Sequence, residues 1–124
     1  MLIVDDSEDI REMWRLWLTY WGFSVEEAGD GEEAIRKARS QPPDLVLMDL
    51  WMPVLDGLRA TELLKADTAT ADVPVLALSA QGGPYAEEWA MAAGAQAFIH
   101  KPADPDELLV RMREVFARSV RERR

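Results

Sequence analysis

The sequence predicts a single α/β domain built on a parallel sheet, and three observations predict it. Short apolar runs without alternation, Leu2-Ile3-Val4, Leu45-Val46-Leu47-Met48 and Val73-Pro74-Val75-Leu76-Ala77-Leu78, have the pattern of strands buried on both faces. Each run leads into a segment of helical periodicity, so strand and helix alternate along the chain. The strands also end in polar residues, at the edge where open α/β sheets bind their ligands. With 124 residues, of which 48% are hydrophobic, the chain is the size of one domain. It can bury roughly two thirds of its unfolded surface in one core.

The elements follow in order. Leu2-Ile3-Val4 is a buried strand ending in Asp5-Asp6, and Ser7 is an N-cap before an acidic first turn, Glu8-Asp9, which the helix dipole favours. Ile10, Met13, Trp14, Trp17, Leu18 and Trp21 recur at helical spacing as the buried stripe, and Gly22 stops the helix. Phe23-Ser24-Val25 reads as a weak second strand. Asp30 and Glu33 have capping-box spacing for a helix whose apolar side is Ala34, Ile35 and Ala38, stopped by Pro42-Pro43. The third strand runs from Leu45 to Asp49, and Pro53 to Gly57 turns the chain into a helix carrying Leu58, Leu63 and Leu64.

Asp67 to Asp72 is a polar connector to the fourth strand, in which Pro74 sits near the start, where no ladder donor is needed. That strand ends in Ser79-Ala80, and Gln81 to Pro84 leads flexibly into a helix closed by Gly94. Ala97-Phe98-Ile99-His100 is a fifth strand, followed by Lys101-Pro102. Asp104, Pro105 and Glu107 then start a helix with Leu108, Leu109, Met112, Val115 and Phe116 inside. Residues 1–118 form the domain. The basic end, 119–124, is either a frayed helix terminus or the start of a linker.

Twenty-three acids against fourteen Lys and Arg give a net charge of -9, which argues against direct binding to nucleic acid or an anionic membrane. No apolar run approaches the ~20 residues of a transmembrane helix, and Met1 to Val4 is too short for a signal peptide. The lack of cysteine excludes disulfides and thiolate chemistry and is compatible with a reducing cytoplasm.

Collected together, the strand ends bring Asp5, Asp6, Asp49, Ser79 and Lys101 to one edge of the sheet. Two carboxylates ~4 Å apart repel by about 4 kcal/mol at an effective dielectric of ~20, so three need a cation. A hard divalent ion such as Mg²⁺ suits oxygen ligands, and Lys101 adds a fixed charge on the other side. Such a site fits phosphoryl transfer to a carboxylate nucleophile.

Over essentially its whole length the chain resembles the receiver domain of two-component response regulators. The matching pieces are Val4-Asp5-Asp6, Gly22-Phe23, Ala28 to Gly31, Asp49 with Met52-Pro53 and Asp56-Gly57, Ser79-Ala80, Ala93-Gly94-Ala95 and Lys101-Pro102. The resemblance implies a flavodoxin-like (βα)5 three-layer sandwich with a five-stranded parallel sheet of order 2-1-3-4-5. It implies that Asp49 accepts a phosphoryl group from the phosphohistidine of a histidine kinase or histidine phosphotransferase. Mg²⁺ would be held by Asp6, Asp49 and the Trp51 backbone carbonyl, with Asp5 acting through water. Ser79 and Lys101 would contact the phosphoryl oxygens, Phe98 would be the aromatic whose rotamer reports the state, and Pro102 would follow a cis peptide bond.

Trp51 departs from the usual pattern, and one expectation is that it shields the acyl phosphate from water. The other is that it lies on the surface. His100, the only histidine, should point away from the site by alternation. Leu16 and Tyr20 lie off the buried stripe of the first helix and are a candidate kinase or phosphotransferase contact. Tyr85 and Trp89 on the fourth helix, with the fifth helix and Phe98, are a candidate output or homodimer face by resemblance; the alternative for each pair is burial in the core. Two other functions compete: an interaction module independent of phosphorylation, and a multiple-turnover phosphatase. The phosphatase would need an acid where Trp51 stands.

Overall fold

Two-sided burial of the central strands is what a computed structural model of the chain shows, over residues 1–80, 83–101 and 104–122, with side chains to Arg118. The order is β1 (Leu2–Val4), α1 (Glu8–Tyr20), β2 (Glu26–Ala28), α2 (Gly31–Ser40), β3 (Val46–Asp49), α3 (Gly57–Ala66), β4 (Val75–Ser79), α4 (Ala86–Ala93), β5 (Ala97–His100) and α5 (Pro105–Glu122), with a 3-10 turn at Gly83–Tyr85 before α4. The strands form one five-stranded sheet of order β2-β1-β3-β4-β5, parallel throughout, which is the flavodoxin-like arrangement.

Alternation along the strands sends side chains to two separate cores. Val4, Val46, Met48, Ala77 and Phe98 face α2, α3 and α4, whose contributions are small: Ala34, Ala38, Ala60, Ala86 and Ala90, with Leu64. Ile3, Leu47, Leu76, Leu78 and Ile99 face α1 and α5, which bring Trp14, Leu18, Leu108, Met112 and Val115. Helices on both faces make the three layers.

Local chemistry fixes the helix ends. Ser7, Asp30 and Asp56 are extended N-caps whose side chains accept from the N–H groups of Ile10, Glu33 and Arg59. Glu33 completes its half of the box at one remove, accepting from Gly29 rather than from the Asp30 N–H. Gly94 closes α4 at φ 112°, a left-handed conformation that favours glycine. Among the described residues, no helix is long and apolar enough to cross a membrane.

Two expectations need correction. The second strand is not Phe23-Ser24-Val25: the ladder pairs Leu2 with Glu26, Ile3 with Glu27 and Val4 with Ala28. Phe23 and Val25 instead pack against the core beneath α1 and α5. β2 is an edge strand, so it can carry two glutamates, and Glu27 is paired with Arg11 and Arg15. Second, Met13 and Trp17 are 42% and 40% exposed, because α1 covers the sheet through buried Trp14 and Leu18, with Ile10 partly buried beside them. Trp17 lies among Tyr20 and Trp21 on the rim. Gln81, Gly82 and Pro102 lie outside the described residues. The α5 backbone runs on to Glu122, so the helix includes part of the predicted tail.

Candidate functional site

The C-terminal ends of β1 and β3 deliver three carboxylates to one place. Oxygens of Asp5, Asp6 and Asp49 lie within 4.8 Å of one another. Asp5 and Asp49 are buried and Asp6 is exposed, so the cluster opens to solvent on the Asp6 side. Asp5 is fixed by three groups. Its Oδ1 accepts from the Ser7 N–H at 2.9 Å, its Oδ2 accepts from Lys101 Nζ at 2.6 Å, and its backbone carbonyl accepts from Arg11 at 2.7 Å. Arg11 is a residue that sequence reasoning missed. Nothing in its spacing marks it, because its partners come from the turn below it and from Glu27 on β2.

Lys101 follows β5, where its backbone N–H donates to the Ser79 carbonyl at 2.9 Å. Its ammonium pairs closely with Asp5 and reaches Asp49 at 3.5 Å. Burial pushes the Asp49 carboxyl up to about 6; Lys101 pulls it down, Asp5 adds to the rise, and the Trp51 backbone N–H lowers it again. Desolvation prevails over one shared ammonium. Ser79 ends β4, fully buried and opposite His100 in the ladder. The five predicted groups thus lie at one edge of the sheet.

The loop after Asp49 is tightly built. The Gly57 N–H donates to the Leu50 carbonyl at 2.9 Å, and a Cβ on Gly57 would run into the Asp49 carbonyl oxygen. Val54 takes φ 70° while the Leu55 N–H donates to the Pro53 carbonyl at 2.8 Å, a strained γ-turn beside the acid cluster. Trp51 is partly buried against the core on the α4 side, with ring centroids 6.1 Å from Trp89 at 90°. It is thus neither fully buried nor freely exposed. Trp89, its partner, was legible as a helix-face aromatic but not as a neighbour of this loop.

Phe98 is 4% exposed and packs in the α2–α4 core, its carbonyl accepting from Arg111 at 2.9 Å. His100 is exposed, beside the Phe98 ring. Leu16 and Tyr20 are exposed on α1, and Tyr85 and Trp89 are exposed at α4, so none of the four is core. The two pairs lie on opposite faces of the sheet, since α1 and α4 cover different cores.

A 2-1-3-4-5 parallel sheet carries an acid triad and a lysine at its C-terminal edge, and Trp51 stands two residues after Asp49, where an aspartyl phosphatase would need an acid. The sequence profile of the response regulator receiver domain matches residues 1–113, and the chain belongs to that family, the phosphoacceptor domain of two-component signalling. It is 39% identical over 120 residues to the response regulator MprA of Mycolicibacterium vanbaalenii, an alignment covering 97% of this chain and 51% of that protein. The chain thus spans about half the length of the curated relatives it matches. A solved chain from Chloroflexus aurantiacus J-10-fl, taken to be a response regulator, superposes with TM-score 0.89 at 34% identity, covering 94% of this chain and 95% of that one. The receiver domain of the sensor histidine kinase PA1611 of Pseudomonas aeruginosa PAO1, with a magnesium ion coordinated in its active site cleft, superposes with TM-score 0.86 at 31% identity, covering 94% and 95%.

Proposed function

We propose that Asp49 is the phosphoacceptor of this receiver domain, taking its phosphoryl group from the phosphohistidine of a histidine kinase or histidine phosphotransferase. The observation that carries this is a buried carboxylate beside two others and within reach of one lysine. In the transfer an Asp49 oxygen attacks phosphorus, the P–N bond to the donor imidazole breaks, and its electron pair returns to the ring nitrogen. The chain catalyses its own phosphorylation and dephosphorylation and is not a multiple-turnover enzyme.

The donor set fits Mg²⁺. Three clustered carboxylates, one facing solvent, form an all-oxygen site for a hard cation, and the PA1611 receiver carries magnesium in its cleft. Asp6, Asp49 and the Trp51 carbonyl would hold the ion, with Asp5 acting through water. When bound, it supplies charge neutralisation at the carboxylates and phosphoryl oxygens. Lys101, now on Asp5, would reach a phosphoryl oxygen, and the Ser79 hydroxyl would donate to another. Movement of Ser79 toward the phosphoryl group would change the space open to Phe98 and so reach the α4–α5 face.

The domain covers residues 1–118, with 119–124 as its tail or a linker. The exposed pair Leu16 and Tyr20 is proposed as the kinase or phosphotransferase contact. Tyr85 and Trp89 on the α4 side are proposed for an output partner or a second copy. The charge of -9 supports the absence of direct nucleic-acid or membrane contact by this stretch alone, and the lack of cysteine suits a cytoplasmic setting.

Intact mass after incubation with Mg²⁺ and acetyl phosphate tests the reading. One phosphoryl adduct that needs Mg²⁺ and is missing from Asp49→Asn is expected. No adduct on the folded protein would overturn it in favour of a module independent of phosphorylation.

A further inference from the structure

Trp51 is tied to the site at one end and to α4 at the other. Its backbone N–H is bonded to the Asp49 carboxylate. Its indole packs against the α2–α4 core and meets Trp89 edge to face, and Trp89 in turn stacks on Tyr85 at 6.3 Å. Three rings thus run from the phosphoacceptor loop to an exposed helix face, with Trp89 46% and Tyr85 59% exposed. α4 is anchored in the core by Ala86, Ala90 and Ala93, so Trp89 is not what holds the helix down.

The indole Nε1 of Trp51 is buried and has no hydrogen-bond partner. An unpaired buried donor favours any rotation that takes it to water, so packing must hold the ring where it is. Trp89 supplies packing on that ring from outside its own loop.

We infer that Trp89 is a positioning residue: it holds the Trp51 indole across the α4 side of the site and thereby sets the hydrolysis rate of the Asp49 acyl phosphate. The inference rests on Asp49 as phosphoacceptor. In hydrolysis a water oxygen attacks phosphorus, the bond from phosphorus to the Asp49 oxygen breaks, the carboxylate is regenerated and inorganic phosphate leaves carrying the water's oxygen, with the water's two protons going to it and to solvent. Asp6 leaves the acid side of the cluster open. Trp51 is joined to Asp49 by its backbone N–H and packs toward α4, so on this inference a freed indole gives water a second approach.

The test is the half-life of the phosphorylated protein after acetyl phosphate is removed, in the wild type, Trp89→Ala, Trp89→Phe, Trp51→Ala and the double variant Trp51→Ala/Trp89→Ala. Trp89→Ala should shorten the half-life roughly two- to tenfold, the scale of one aromatic pair. Trp89→Phe should restore most of it, and Trp89→Ala should add nothing once Trp51 is alanine. Unchanged half-life in folded Trp89→Ala, or an equal effect with and without Trp51, would overturn the inference. A wild type that takes up no phosphoryl group would overturn the reading of Asp49 as well, so the two failures are distinguishable.

Discussion

Asp49 is the residue on which the account turns, and its ionisation has a cost that can be measured. Burial raises its carboxyl to about 6, and Lys101, shared with Asp5, does not compensate. Between about pH 4 and about pH 6 the folded chain holds a proton on Asp49 that the unfolded chain has released. Stability therefore falls as pH rises through that window, by on the order of 3 kcal/mol for a shift of this size. Asp49→Asn, neutral at every pH, should be the more stable protein near pH 7, with the advantage gone near pH 4. Urea unfolding at both pH values, without metal, measures this; equal stabilities near pH 7 would show that the carboxylate is not held at a cost. At this scale the sequence was informative about identity and silent about pairing. Asp5, Asp6, Asp49, Ser79 and Lys101 could be collected because each ends a strand or lies within two residues after one. That Lys101 sits closer to Asp5 than to Asp49, and that Arg11 grips the Asp5 carbonyl, depends on how α1 and β5 approach each other.

Elements meet most closely where α3 follows β3. The first residue of α3, Gly57, donates to Leu50 and faces the Asp49 carbonyl at a distance that leaves no room for a side chain. Gly57→Ala should force the helix start away from the strand end, lowering stability by roughly 1–3 kcal/mol and slowing phosphorylation. Thermal unfolding together with the rate of adduct formation checks both; wild-type values for the two would mean that the loop is not under this constraint. Element boundaries were legible where a cap or a two-sided strand fixed them. Ser7, Asp30 and Asp56 cap the helices they precede, and β1, β3 and β4 are apolar runs. β2 was not legible, because an edge strand needs no continuous apolar run: Glu26 is exposed and Glu27 is paired with Arg11 and Arg15 of α1. The α1 stripe was read too broadly for a related reason. A helix lying on one side of a sheet buries a narrow strip, and Met13 and Trp17 fall on its flank.

For the whole molecule, the sheet separates two cores and places the acid cluster at the edge shared by both. The small side chains of α2, α3 and α4 and the large ones of α1 and α5 make the two faces unequal, and the exposed pairs Leu16–Tyr20 and Tyr85–Trp89 stand on opposite sides. A phosphoryl group on Asp49 would sit between them, able to be delivered from one side and read from the other. The alternation of strands and helices made this architecture legible from the residues alone, since a parallel sheet with helical crossovers leaves few topologies. The contact between Trp51 and Trp89, 38 positions apart in sequence, was not, because no local pattern brings a loop residue to a distant helix. The most direct measurement is to locate the phosphoryl group. Borohydride reduces an aspartyl phosphate to homoserine, so reduction of the phosphorylated chain followed by peptide mapping should find homoserine in place of Asp49 and nowhere else. Reduction at Asp5 or Asp6, or a phosphorylated chain in which no aspartate is reduced, would contradict the assignment of Asp49.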